Sequence, residues 1–170
     1  MLALSKEQRT LLNASIVRDG QQISRGVAMN DVVINKTGMS RLIELEVNID
    51  DQFVHRQRSD GLILATPTGA TAYALSAGGP ILHPTLDAIT LVPICPHTLS
   101  NRPIVINGAS KLEIALVHAE DAAVHLDGQL QIALLEGDKI LVERDKNTVS
   151  LLHPLGHSHY DMLRQKLNWG

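Results

Sequence analysis

From residue 12 onward the chain is cut into short β-branched runs, each bounded by Gly, Asn, Asp or Pro, and this punctuation limits the fold more than any other feature. β-Branched side chains suit a pleated surface, while the bounding residues are those that reverse a chain. Residues 14–17 end at Arg18-Asp19-Gly20, where glycine supplies the positive φ of a hairpin, and residues 26–35 supply an antiparallel partner. Leu42, Ile43, Leu45, Val47 and Ile49 alternate with polar residues over much of their run, and Asp50-Asp51 turns the chain into a strand over 53–58. Further strands are predicted at 88–94, 103–106, 111–117, 123–126, 132–134, 139–144 and 149–152. So many short strands predict a mainly β fold, a two-layer β-sandwich of antiparallel strands.

Other stretches depart from that pattern. Residues 61–65 are continuously apolar, as expected of a strand covered on both faces, and Thr66-Pro67-Thr68-Gly69 stops them. Residues 70–77 are rich in alanine with no breaker before Gly78-Gly79-Pro80, which predicts one short helix after the Thr-Pro-Thr-Gly turn. Met162, Leu163, Lys166, Leu167 and Trp169 have a spacing that predicts a closing C-terminal helix over 161–169. Length favours a single domain over residues 1–170. Aromatic residues make up only 2% of the chain, so the core must rest on Leu, Ile, Val and Ala, and Tyr73 stands out.

Charge excludes several partners. The net charge is -3 and no run of five or six like charges occurs, so nucleic acid and anionic membrane surfaces gain no long-range attraction. No apolar stretch approaches the roughly 20 residues that span a bilayer. Residues 1–13 mix Lys6, Glu7 and Arg9 into their apolar positions and lack the core of a signal peptide, and Cys95 has no second cysteine to pair with. The expected location is cytoplasmic.

The chemistry concentrates between residues 58 and 80, read as strand, tight turn and helix. A helix start presents unpaired N–H groups that can receive a phosphate, a ribose or a base edge. Thr71 and Ser76 offer hydroxyls, Tyr73 a flat face and Asp60 an acceptor, a set that suits a nucleotide. The same residues also read as an ordinary turn with Thr71 as a cap and Tyr73 as a core aromatic. The pattern alone leaves both readings open.

Asp60-Gly61, then Thr66-Pro67-Thr68-Gly69-Ala70-Thr71-Ala72-Tyr73, then Ser76-Ala77-Gly78-Gly79-Pro80 resembles the long signature of the NAD kinases. The resemblance continues through Leu91-Val92-Pro93-Ile94-Cys95-Pro96-His97-Thr98-Leu99-Ser100-Asn101-Arg102-Pro103 and upstream to Ala28-Met29-Asn30-Asp31-Val32-Val33-Ile34, covering most of the chain. It implies the carboxy-terminal, NAD-binding domain of a bacterial enzyme that phosphorylates the adenosine-ribose 2'-hydroxyl of NAD to give NADP, with ATP and a divalent cation such as Mg2+. By that likeness Asn30 and Asp31 contact adenine and ribose, Asp31 replacing the commoner Glu. Thr71, Ala72, Tyr73, Ala74, Leu75 and Ser76 would hold the base and sugar, and Asp60 would accept from the nicotinamide carboxamide. Arg58 stands where the family separates enzymes confined to NAD from those also accepting NADH, and its basic side chain resembles the NAD-selective type; the alternative is a surface arginine. Arg41 and Gln129, the latter in Asp127-Gly128-Gln129, match further ligand-facing positions. The family also implies a homo-oligomer, a dimer or tetramer, built through this domain with residues near Asp60 facing a neighbouring subunit.

One departure matters. The family's catalytic Gly-Gly-Asp-Gly motif, whose Asp is the general base on the 2'-hydroxyl, has no counterpart, because Gly78-Gly79 continues into Pro80. In the family that motif belongs to a preceding α/β domain, so this chain is expected to begin after it, to contain no catalytic residue and to position NAD without turning it over alone. The competing classes are a non-catalytic NAD(P)-sensing module and a lipid kinase of the diacylglycerol kinase superfamily, whose motifs share general architecture but not Asp60 with the Thr71 to Ser76 string. His153, His157, His159 and Asp161 raise a metal site, which the resemblance does not carry, and no metal ligand is assigned. Cys95 is expected to be a buried structural thiol. Ser100, His97 and Asp87 lack a Gly-x-Ser-x-Gly elbow, which excludes the common hydrolase arrangement. Asp127-Gly128 reads as a hairpin turn between 123–126 and 132–134, with Gln129 beside it able to reach the cleft.

Overall fold

The computed structural model describes residues 4–39 and 41–169. Its strands form two antiparallel six-stranded sheets. The first runs in the order β2 (Gln21–Ala28), β1 (Leu4–Arg18), β12 (Lys139–Pro154), β9 (Leu112–His118), β4 (Ile43–Ile49), β5 (Gln52–Ser59). The second runs β11 (Leu130–Leu134), β10 (Ala122–Leu126), β3 (Asp31–Lys36), β6 (Gly61–Ala65), β7 (Ala88–Ile94), β8 (Ile104–Asn107). The predicted sandwich is therefore present, and the core between the layers is aliphatic, built on Leu12, Ile16, Val32, Ile34, Leu45, Leu62, Leu64, Leu91, Ile114 and Val142.

Side-chain alternation decides what lies outside. On β3, Val32 and Ile34 face the main core, so Asp31, Val33 and Asn35 face the other side of the second sheet. There a smaller cluster of Val33, Ile63, Ala65, Ala74 and Val92 lies beneath the segment that follows β6, which explains why β6 is apolar at every position. The predicted short helix forms as two single turns, a 3-10 turn over Gly69–Thr71 and α1 (Tyr73–Ser76), interrupted at Ala72 with φ -102° and ψ -129°. Gly78, at φ 87°, ends it, its N–H reaching the carbonyl of Leu75. The closing helix is α2 (His159–Leu167), capped by Ser158, whose side chain accepts from the N–H of Asp161.

Four sequence expectations are corrected. The strand predicted over 26–35 is split, because β2 and β3 belong to different sheets and Met29-Asn30 is the corner between them. The polar residues before Leu12 are also strand, since β1 pairs with β12 from Leu4↔Pro154 to Val17↔Lys139 and partner hydrogen bonding replaces the missing apolar pattern. Asp145-Lys146-Asn147 does not end a strand; it bulges opposite Leu11, the Asp145 carboxylate taking the Asn147 N–H at 2.8 Å, and the two predicted strands are one. Cys95 is exposed, because its φ of 44° turns the side chain outward after β7.

The sandwich also holds an ion pair with a buried acid and a partly exposed base. Arg18 donates twice to the fully buried Asp138 carboxylate, at 2.8 and 2.7 Å, and the Leu135 N–H adds a third bond at 2.8 Å. Burial would raise that carboxyl, but the Arg18 hydrogen bond and the backbone donor outweigh it and hold Asp138 below the usual carboxylate range.

Gly61 shows how tightly the β5–β6 corner is packed. A Cβ there would lie 2.3 Å from the Ile34 carbonyl oxygen and 2.9 Å from the Asn35 Cβ, so backbone must move to admit it. The substitution Gly61→Ala is expected to destabilise the chain by about 2 kcal/mol or more, measured by denaturant unfolding; an unchanged midpoint would contradict the packing.

Candidate functional site

The outer face of the second sheet carries a cleft of about 400 Å3, lined by Asn30, Asp31, Val33, Asn35, Ala72, Tyr73, His125, Asp127 and Gly128. Its floor is β3 and β10, which pair with Val33 opposite His125. One wall is the broken helical segment with Ala72 and Tyr73. The other is the β10–β11 hairpin, where Asp127 at φ 51°, Gly128 at φ 66° and Gln129 form a three-residue turn between Leu126 and Leu130.

That turn does more than reverse the chain. The Asp127 carboxylate accepts from the N–H groups of Met29 and Asn30 at 2.7 Å each and of Asp31 at 3.1 Å, and its own N–H donates to the Asp31 carbonyl at 3.0 Å. The opposite side of the same corner is held by Thr66, whose hydroxyl donates to the Met29 carbonyl at 2.7 Å and whose N–H donates to the Asn30 carbonyl at 2.9 Å. The Thr66 hydroxyl also accepts from the Gly69 N–H at 3.0 Å. Gly69 can lie against this corner only because it has no side chain: a Cβ would be 1.9 Å from the Asn30 carbonyl oxygen. Thr66, Gly69 and Asp127 thus fix Asn30 and Asp31 at the rim between two walls.

Asp31 occupies an unfavourable place. It is only 5% exposed, and burial, then the nearby Asp127 charge, raises its carboxyl from 3.8 to about 6. An acid retained where ionisation is costly, inside a cleft, is the arrangement expected of a group that meets a ligand. Tyr73, by contrast, is 46% exposed, so its ring is open to the cleft rather than sealed in the core.

The structure brings Asn30, Asp31, Ala72 and Tyr73 together and disperses the other sequence candidates. Ala74 is fully buried in the small cluster beneath. Leu75 is half-buried and Ser76 exposed, and neither lines the cleft. The carbonyl of Thr71 receives Lys166 Nζ from α2 at 2.8 Å. Asp60 stands at the corner between the sheets, paired with Lys36 at 3.0 Å. Arg58 is exposed on edge strand β5, Arg41 is exposed and paired with Glu120 at 3.5 Å, and Gln129 is exposed just beyond Gly128. The expected helix-start donors are absorbed locally, since the N–H groups of Gly69 and Ala70 both close on Thr66. Val33, Asn35 and His125 were not among the candidates, although the period of two on β3 places Val33 and Asn35 with Asp31, and His125 is the one polar residue of Ala122–Leu126. A wider groove of about 740 Å3 crosses the outer face of the first sheet, lined among others by Asn13, Arg25, Glu46 and Lys111, and it contains none of the sequence candidates.

Among the described residues no group of three or more His, Cys, Asp or Glu is placed to hold a metal ion. His153 and His157 stack face to face, with centroids 4.2 Å apart, rather than converging on a point.

A sequence model of the ATP-NAD kinase C-terminal domain matches residues 29–153. The chain is 57% identical over 164 residues to the NAD kinase of Laribacter hongkongensis, covering 96% of this chain and 56% of that protein. It is 56% identical over 164 residues to the NAD kinase of Thiobacillus denitrificans, covering 96% and 57%. The chain therefore spans a little over half the length of these curated relatives. Among solved structures, the yeast NADH kinase complexed with NADH superposes with a TM-score of 0.90 at 29% identity, over 96% of this chain and 50% of that one. An NAD kinase from Archaeoglobus fulgidus in complex with ATP superposes with a TM-score of 0.80 at 28% identity, over 96% and 60%.

Removing the Asp127 carboxylate takes three donors' shared partner away from the corner. Asp127→Ala is expected to lower stability by about 2 kcal/mol and to speed hydrogen exchange at Met29, Asn30 and Asp31. Unchanged exchange at those amides would contradict the role given to Asp127.

Proposed function

Because the chain belongs to the ATP-NAD kinase C-terminal domain family, we propose that it forms the NAD-binding part of an NAD kinase, which transfers a phosphoryl group from ATP to the adenosine-ribose 2'-hydroxyl of NAD. The observation that carries this reading is the cleft itself, in which the buried Asp31 carboxyl and Asn30 face the open ring of Tyr73. A nucleoside offers what each of them lacks: a flat base for Tyr73, and sugar hydroxyls or a base edge to donate to Asp31 and exchange hydrogen bonds with Asn30. The relatives described above are NAD or NADH kinases, which favours this reading over a lipid kinase.

The contribution of the chain's own residues is positioning. Phosphoryl transfer requires the attacking oxygen in line with the phosphorus and a base within about 3 Å. Asn30, Asp31, Ala72 and Tyr73 would hold the adenosine portion, with Asn35 and His125 further along the same floor. Asp60, Arg58, Arg41 and Gln129 lie outside the cleft, and their roles belong to the remainder of the dinucleotide or to a neighbouring subunit of a dimer or tetramer. No Gly-Gly-Asp-Gly sequence is present to supply the base. The side chains described do not form a cage for the divalent cation, so no step is assigned through it. The proposed location is cytoplasmic; no helix among the described residues is long and apolar enough to cross a membrane.

Titration calorimetry with NAD is the direct test. Binding is expected, and Tyr73→Ala should weaken it about tenfold through lost stacking; no binding, or an unchanged affinity in the variant, would overturn the assignment. A normal rate of NADP formation by this chain alone would overturn the restriction to positioning.

Acidity provides a second check. Asp31 accepts donors best as a carboxylate, so affinity should fall as pH drops through about 6, and Asp31→Asn should flatten that dependence. Stability runs the other way. The folded chain holds this proton more tightly than the unfolded one between 3.8 and about 6, so the Asp31 contribution declines as pH rises across that window and Asp31→Asn should raise the melting temperature at neutral pH.

A further inference from the structure

Four of the eight histidines gather away from the cleft, where the ends of β1 and β12, the loop after α1, and α2 meet. His153 of β12 stacks on His157 with ring centroids 4.2 Å apart and planes 4° from parallel. His83 of the loop meets His159 of α2 edge to face at 4.8 Å, with Tyr160 5.9 Å from His83 and 5.7 Å from His159. From β1 come two charged groups: Glu7, whose Oε2 lies 3.2 Å from His153 Nε2, and Arg9, which donates to that same Oε2 at 2.9 Å. On α2 itself, Asp161 and Arg164 pair with each other.

Positive charge added to this cluster finds few partners. The Nδ1 of His83 receives the Thr85 N–H at 3.3 Å, with the Thr85 hydroxyl 2.7 Å away, so that nitrogen serves as an acceptor and must lose the backbone bond to take a proton. Of the two carboxylates, Glu7 is shared between Arg9 and His153 and Asp161 pairs with Arg164, so protons taken up by the four rings outnumber the acids left to offset them. Burial, then His83 and Arg9, also lowers the affinity of His159 for its proton.

The cluster has a mechanical link to the cleft. Lys166, in the last turn of α2, donates to the Thr71 carbonyl at 2.8 Å and lies 3.4 Å from its hydroxyl, next to Ala72 and Tyr73 of the cleft wall. Arg9 donates to the Thr68 hydroxyl at 3.3 Å, in the turn that begins that wall.

We propose that the four histidines form a pH-operated latch: unprotonated, they let α2 dock and Lys166 brace Thr71, and protonated, they repel one another and Arg9 and release α2 from the cleft wall. Like charges held this close repel, and the helix they would displace is only nine residues long.

Hydrogen exchange on the whole chain, corrected for its intrinsic pH dependence, tests this. Protection of α2 relative to β6 should fall about tenfold between about pH 8 and about pH 5, while β6 stays protected. The fourfold variant H83Q/H153Q/H157Q/H159Q should keep α2 protected across that range, and Asp31→Asn should leave the fall in place, separating it from the titration in the cleft. Unchanged α2 protection in the natural sequence, or a fall that survives the fourfold variant, overturns the latch. If the fourfold variant does not fold, Lys166→Met decides: it should leave α2 poorly protected at pH 8, and full protection there overturns the brace.

Discussion

Where β2 gives way to β3, three successive backbone N–H groups point at one spot, and the Asp127 carboxylate fills it. Left unmet, each donor would cost free energy in a partly buried corner, and the chain could not leave one sheet and enter the other at this angle. Thr66 meets the carbonyls of the same corner from the other side, and Gly69 fits beneath because it lacks a side chain. Everything that faces the cleft takes its position from this arrangement: Asn30 and Asp31 directly, Ala72 and Tyr73 through the turn that Thr66 starts.

The same arrangement creates the cleft's electrostatic cost. Asp127 is needed as an acceptor, and its charge, added to burial, opposes ionisation of Asp31. A sandwich optimised for stability alone would place a neutral residue at position 31. Keeping an acid there makes sense if something with hydroxyl or amide donors arrives, since those donors replace the water that burial removes.

Much of this was legible in the residues. Alternation along 43–49, the unbroken apolar run at 61–65 and the Asp-Gly turn at 127–128 follow from local rules, and the structure obeys them. What escaped depended on partners distant in sequence. The polar half of β1 is a strand only because β12 runs beside it, and the break at Met29-Asn30 exists only because Asp127 lies 97 residues from Asn30 to hold it. Val33, Asn35 and His125 entered the cleft by parity along their strands, a signal present in the sequence but meaningful only once the two faces of the second sheet are told apart. The motif residues divided for a related reason: a shared signature reports that positions matter together in the whole protein, and it does not say that they meet in one cavity of one domain.

The pairing of β1 with β12 joins Leu4 to Pro154, so β1 waits for a strand far along the chain. Until β12 has been made, β1 has a free edge on the side that β12 will occupy, and only the β2 hairpin to hold its other edge. Contacts of such long sequence separation slow folding, because the loop between them must close before the strands reward it. During synthesis these residues therefore emerge as a set of hairpins lacking the strand that links them, and the first sheet becomes continuous only once β12 has been made.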